Sequence, residues 1–268
     1  MTQRIGLIAG NRKFPLLFAQ AAKAKGYSIV AVAIKGDTSR NLKKLVDKIY
    51  WISLKDYSRL FEIFKSEGVK EVVMAGQISP HRLFSREIDK SPQLKSILKQ
   101  IKDKKADTIF SAVASQLKEA GLELLSSTLF IEEYLPDKGT LTKRGPSVLE
   151  QEDIQFGVSL AKEMGALDIG QTVAVKEKAV VAVEALEGTD NLIRRAGRMV
   201  RPGIVVVKVS KPKQDIRFDI PVVGLGTVKN LIRAKASCLA IEAKKTLFID
   251  KEAAVKLADK YGICVVAI

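Results

Sequence analysis

With 268 residues, 47% of them hydrophobic and 28% charged, the chain can bury one large core or two ordinary ones. No apolar run is long enough for a membrane-spanning helix, the N-terminus carries no secretory pattern, and only two cysteines occur, Cys238 and Cys264; this excludes a disulfide-stapled secreted fold and predicts a cytoplasmic protein. The formal net charge of +15 fits nucleic acid, an anionic lipid surface, a phosphorylated substrate or a solvated Lys/Glu-rich surface, but 6% aromatic content argues against a stacking platform for single strands.

In chain order, residues 5–9 predict a short apolar strand ending at Gly10-Asn11. A helix over 16–24 stops near Gly26, and 28–34 form a second strand. An amphipathic helix over 56–66 ends at Gly68, and a third strand over 71–75 closes at Gly76. Lysine-rich helices follow over 93–102 and 107–120, then a strand over 122–126. Strands alternating with helices predict a Rossmann-like parallel sheet covered on both faces. Gly10-Asn11-Arg12 falls at the C-terminal edge of the first strand, where open α/β sheets bind ligands.

Pro136, Gly139, Gly145 and Pro146 break the periodicity between 134 and 147, which predicts domains over 1–134 and 135–268. Lys143 and Arg144 sit in this break, as linker residues or as the lining of a cleft. The second half reads as a smaller mixed α/β domain. It has a helix over 148–164, paired strands over 171–175 and 180–184, a helix over 190–199 and a strand over 204–209. A helix over 227–236, strands over 239–242 and 246–249, a helix over 251–260 and a strand over 263–267 complete it.

Walker A, complete GxGxxG and GxSxG motifs are absent. A single histidine, His81, excludes multi-histidine metal centres and reads as a surface or loop residue, or as a lone acid or base. Two stretches can carry chemistry. In the first, Glu184, Glu187 and Asp190 crowd the end of an apolar strand. Gly188 permits a tight turn, and Thr189 or Asp190 can cap the next helix, whose N-terminus favours phosphate. Carboxylates beside a phosphate suit Mg²⁺; the alternative is one capping aspartate with two solvated glutamates. The second stretch runs from Lys208 through Lys211 to Pro221. Here Asp215, Arg217 and Asp219 alternate, so an extended segment presents them on one face, metal to the aspartates and phosphate to Arg217; the alternative is a charged hairpin arm. Together they point to phosphoryl chemistry, with lysines stabilising charge and a carboxylate taking a proton from water, and leave hydrolase, transferase and binding protein open.

Several runs occur in a fixed order: Ile5-Gly6-Leu7-Ile8-Ala9-Gly10 with Phe14-Pro15-Leu16, Val72-Val73-Met74-Ala75-Gly76, and Leu141-Thr142-Lys143-Arg144-Gly145-Pro146-Ser147. After them come Asp168-Ile169-Gly170-Gln171, Glu184-Ala185-Leu186-Glu187-Gly188-Thr189-Asp190 and Lys211-Pro212-Lys213-Gln214-Asp215. On these runs the chain resembles the LpxI-type UDP-2,3-diacylglucosamine pyrophosphatases over essentially its whole length. It departs at Asn11-Arg12, where a second small residue is expected after Gly10.

The resemblance implies Mg²⁺-dependent cleavage of UDP-2,3-diacylglucosamine to UMP and 2,3-diacylglucosamine 1-phosphate in lipid A biosynthesis, with water directed at the sugar-side phosphorus. It implies two domains with substrate between them, a homodimer, peripheral contact with the cytoplasmic face of the inner membrane, and no nucleic-acid partner; a nucleotide-sugar or lipid-phosphate binding protein without turnover is the alternative. Asp215, Asp219 and Lys211 are then the expected catalytic residues, Asp215 preferred over Asp219. Gly10, Asn11, Gly76, Lys143, Arg144, Thr189, Lys208 and Arg217 are expected to bind substrate, and Glu184, Glu187, Asp190 and Asp215 to hold the metal.

Overall fold

The computed structural model describes residues 3–79, 82, 85, 87, 90–101, 103 and 106–268; His81 lies outside these. Contacts divide the chain into two units. The first takes Met1–Glu132 together with the short segment Asp215–Asp219, and the second takes Glu133–Gln214 and Ile220–Ile268.

The first unit is a five-stranded sheet in the order β3-β2-β1-β4-β5, formed by β1 (Arg4–Ala9), β2 (Ser28–Ile34), β3 (Lys48–Ile52), β4 (Glu71–Ala75) and β5 (Glu123–Leu124). Every neighbouring pair is parallel. Strands covered on both faces need nearly continuous apolar sequence, and β1, β2 and β4 are buried at all but their first residue. The connecting helices are α1 (Phe14–Ala24), α2 (Arg59–Ser66), α3 (Pro92–Gln100) and α4 (Ala106–Glu119). The expected helix over 56–66 starts only at Arg59, after a 3₁₀ turn at Leu54–Asp56. Val30, Val32, Leu60, Phe64, Val72 and Leu117 make one core cluster, which Phe218 joins from the far segment.

The second unit has a six-stranded mixed sheet ordered β6-β13-β11-β9-β7-β8. Its parallel centre is β9 (Val205–Lys208), β11 (Cys238–Ile241) and β13 (Cys264–Ala267); β7 (Thr172–Lys176), β8 (Ala179–Val183) and β6 (Gly139–Thr140) add antiparallel edges. A separate parallel pair joins β10 (Val222–Gly224) to β12 (Leu247–Ile249). The helices are α5 (Val148–Ala166), α6 (Thr189–Met199), α7 (Leu225–Ala234) and α8 (Lys251–Lys260). A capping box starts α5: the Ser147 hydroxyl accepts the Glu150 N–H, and the Ser147 N–H donates to the Glu150 carboxylate. Gly157 lets α5 lie flat on the sheet, because a Cβ there would stand 2.7 Å from Val207.

Candidate functional site

In the first unit the strand order reverses between β1 and β4, the position at which doubly wound sheets open a ligand crevice. The two strand ends meet there through backbone: the Gly10 N–H donates to Ala75 O at 2.8 Å and the Asn11 N–H to Gln77 O at 2.8 Å. A Cβ on Gly10 would stand 2.7 Å from the Gln77 backbone, and one on Gly76, at φ +82°, 2.6 Å from Asn11 O. The structure therefore brings Gly10, Asn11 and Gly76 together. It adds residues that the sequence reading missed: Asn11 Nδ2 donates to Ser79 Oγ (3.4 Å), Ser79 Oγ donates to Asp37 (2.5 Å), and Asp37 pairs with Arg82 at 3.1 Å.

Asp215, Arg217 and Asp219 are not extended. The N–H groups of Phe218 and Asp219 both turn back to Asp215 O, at 3.3 and 3.0 Å, so the segment is a helical turn and the alternating face does not exist. The Phe218 ring stacks on Phe110 with centroids 5.4 Å apart, and Ile216 O accepts from the N–H and hydroxyl of Ser127, which pins the turn. Arg217 folds onto Asp215, its N–H and guanidinium covering both carboxylate oxygens at 2.6–3.1 Å. This pairing holds the Asp215 carboxyl below the usual carboxylate value.

The second unit carries a polar network where β9 ends. Lys208, the last residue of β9, is 4% exposed and donates to the Thr189 hydroxyl at 2.6 Å; that hydroxyl donates to Glu184 Oε1 at 2.8 Å. Glu184 is 7% exposed. Burial pushes its carboxyl up, but the Lys208 charge, the Thr172 and Thr189 hydroxyls and the Gln171 N–H pull harder, and the result lies below the ordinary value. Two residues on, the Ser210 N–H and hydroxyl donate to Glu242 Oε2 at 2.8 and 2.7 Å, and Lys162 pairs with the same oxygen at 2.6 Å. Burial raises the Glu242 carboxyl, and the hydrogen bonds from Lys162, Lys245 and Ser210 bring it down to about 2. Lys211, also buried, pairs with Asp168 at 2.5 Å. Thr189 and Lys208 thus share one cluster with Glu184, and Lys211 sits in a neighbouring pair with Asp168. Lys162, Asp168 and Glu242 were not singled out; only Asp168 had a signal, its place in the Asp168–Gln171 run.

The structure separates the members of the acidic knot. Neither Thr189 nor Asp190 caps α6; Gly188 at φ +80° occupies the cap position, and Thr189 is already the first helical residue, turned inward. Glu184 faces Lys208 and Thr189, whereas Glu187 pairs with Arg195 at 2.5 Å. Asp215 belongs to the other unit. Among the described residues no three His, Cys, Asp or Glu side chains gather to hold a metal ion. Glu184 and Glu187 are turned apart, the buried one balanced by a lysine and the exposed one by an arginine.

Arg144 is committed within its own unit, bidentate to Glu150 at 2.7 and 2.8 Å and bonded to Gly262 O and Ser237 O. Lys143 lines an open groove of about 730 Å³ along α8 with Lys251, Lys256 and Lys260. No helix among the described residues is long and apolar enough to cross a membrane.

The chain matches two family models, the LpxI N-terminal domain over residues 4–134 and the LpxI C-terminal domain over residues 137–266. It is 29% identical over 276 residues to the UDP-2,3-diacylglucosamine pyrophosphatase LpxI of Caulobacter vibrioides, covering 99% of this chain and 98% of that protein. Among solved structures, precorrin-6A reductase CobK is similar at TM-score 0.34 and 12% identity over 100% of this chain and 88% of that one. The biotin carboxylase subunit of pyruvate carboxylase is similar at TM-score 0.29 and 13% identity over 74% of this chain; the match spans only 41% of that longer chain. With family models taking in both halves, from residue 4 to residue 266, the chain belongs to the LpxI family.

Proposed function

We propose that this chain hydrolyses the pyrophosphate bond of UDP-2,3-diacylglucosamine, releasing UMP and 2,3-diacylglucosamine 1-phosphate for lipid A biosynthesis. The observation that carries the reading is membership of the LpxI family over nearly the whole chain, with a relative named for this activity aligned end to end. The site chemistry supports it. Lys208 and Lys211 are buried cations at the end of a parallel strand, suited to charge that develops on a diphosphate. Water attacks the sugar-side phosphorus, the bond from that phosphorus to the bridging oxygen breaks, and UMP leaves with the bridging oxygen. Asp215 and Asp219 are the two candidates for taking the proton from water, Asp215 carrying Arg217 across both of its oxygens.

Mg²⁺ belongs to the proposal as an ion carried on the diphosphate, for which one or two protein carboxylates and water suffice. The protein is further read as a homodimer working at the cytoplasmic face of the inner membrane, with the net charge of +15 drawn to anionic lipid.

The test is UMP release from purified protein in H₂¹⁸O, with and without EDTA. The label is expected in 2,3-diacylglucosamine 1-phosphate, EDTA is expected to stop the reaction, and loss of the carboxylate that serves as base, by Asp215→Asn or Asp219→Asn, is expected to cost at least about 100-fold in kcat. Saturable binding of UDP-2,3-diacylglucosamine without product would replace hydrolysis with a binding role, and full activity of Asp219→Asn would remove that residue from the chemistry.

A further inference from the structure

We propose that Asp168 is the positioning residue for Lys211, fixing its ammonium where the diphosphate is held; the inference rests on the pyrophosphatase reading above. Lys211 follows β9 by three residues, outside any regular element, so its backbone alone does not aim a flexible four-carbon side chain. Three contacts inside the second unit do. Its N–H donates to the Gln214 side-chain oxygen at 2.6 Å. Its Cα lies against Gly165 in the last turn of α5, where a Cβ would stand 3.2 Å away. Its ammonium meets Asp168 Oδ1 at 2.5 Å, with the Lys211 and Asp168 side chains only 8% and 11% exposed.

Asp168 is held for this task by unusual backbone. It follows the end of α5 at φ +54°, in the left-handed region, and its N–H returns to Gly165 O at 3.1 Å. A non-glycine residue is strained there. Leu167 and Ile169 on either side are 62% and 48% exposed, so the turn drives the charged side chain inward and leaves its apolar neighbours outside. The second oxygen, Oδ2, is buried and has no hydrogen-bond partner among the described residues. This oxygen is open to a donor beside the lysine, such as a sugar hydroxyl or a bound water.

The experiment is a double-mutant cycle on the full chain: wild type, Asp168→Asn, Lys211→Met and both together, assayed for kcat and KM with UDP-2,3-diacylglucosamine. Binding of the same substrate is measured by calorimetry on all four, in case Lys211→Met turns over too slowly to read. Asp168→Asn is expected to lose about 10- to 100-fold in kcat/KM, as loss of an outer partner typically does. In the Lys211→Met background the same change should cost less than about 2-fold, because its effect runs through the lysine. A purely structural role would lower the melting temperature and cost the same factor in both backgrounds, and that result overturns the inference, as does a fully active Asp168→Asn. If Asp168→Asn does not fold, Asp168→Ser takes its place in the cycle, and failure of both variants to fold assigns the residue to stability and also overturns it. Wild-type protein without activity on the substrate refutes the pyrophosphatase reading itself, a separate outcome from additive variants of an active enzyme.

Discussion

Replacing Lys208 by Met tests whether the network at the end of β9 is an electrostatic unit. The change keeps the apolar stem and deletes the charge that faces Glu184. Both residues are buried, at 4% and 7% exposure, and removing one partner of such a pair costs about 3–5 kcal/mol because the other charge is left without compensation. Glu184 keeps the Thr189 hydroxyl and the Gln171 N–H, which places the expected loss near the low end, about 3 kcal/mol. At about 2–4 °C per kcal/mol, the melting temperature of the second unit falls by roughly 6–12 °C.

The pH dependence gives the sign. In the wild type the folded carboxyl lies below its unfolded value, so its contribution is present above about pH 4.3 and is lost as pH falls through the folded value. Without Lys208, burial dominates and the folded value rises above the unfolded one. The penalty then grows as pH rises through that folded value, and the deficit of the variant should shrink between about pH 8 and about pH 4.5. Denaturant unfolding at both pH values, with Lys208→Met/Glu184→Gln as the rescue, reads all of this. A deficit below about 1 kcal/mol, one that does not change with pH, or a double variant no more stable than the single refutes the reasoning.

Two further outcomes follow from the same physics. Glu242 titrates at about 2, roughly two pH units below an unfolded glutamate, so it contributes about 3 kcal/mol above about pH 4.3 that disappears as pH falls toward 2; Glu242→Gln should flatten the acid side of a stability profile measured by chemical denaturation. Arg217 holds the Asp215 carboxyl low, so in Arg217→Ala the Asp215 midpoint followed by NMR should move up toward about 3.9, and an unmoved midpoint refutes the pairing.

The strands over 28–34 and 71–75 were legible to the residue, because strands buried on both faces leave an unbroken apolar signature between turns. β3 was not, although Lys48–Ile52 is rich in β-formers; its edge position leaves its first four residues partly or fully exposed and its pattern without contrast. At the site, local cues found Lys208, Thr189 and Glu184 as neighbours of a strand end, but misread what they do. Sequence spacing placed Glu184 and Glu187 in one knot, whereas the turn at Gly188 sends one inward to a lysine and the other outward to an arginine. Lys162 and Glu242 are 80 residues apart and carry no local signal, so only the folded sheet shows them as partners. The alternating aspartates were misread for a simpler reason: alternation says which face a residue takes only if the segment is a strand, and this one is a turn.

That turn also decides how the protein can be cut. Asp215–Asp219 is counted with the first unit although more than 80 residues separate it from Glu132. A fragment ending at Glu132 would expose one flank of Phe110 where the Phe218 ring had stacked, and Ser127 would lose the carbonyl of Ile216. The complementary fragment would carry Phe218 as an apolar ring without its core. The halves that the family models delimit by sequence therefore cut through a shared core: the C-terminal one carries Phe218, which belongs to the core cluster of the N-terminal sheet.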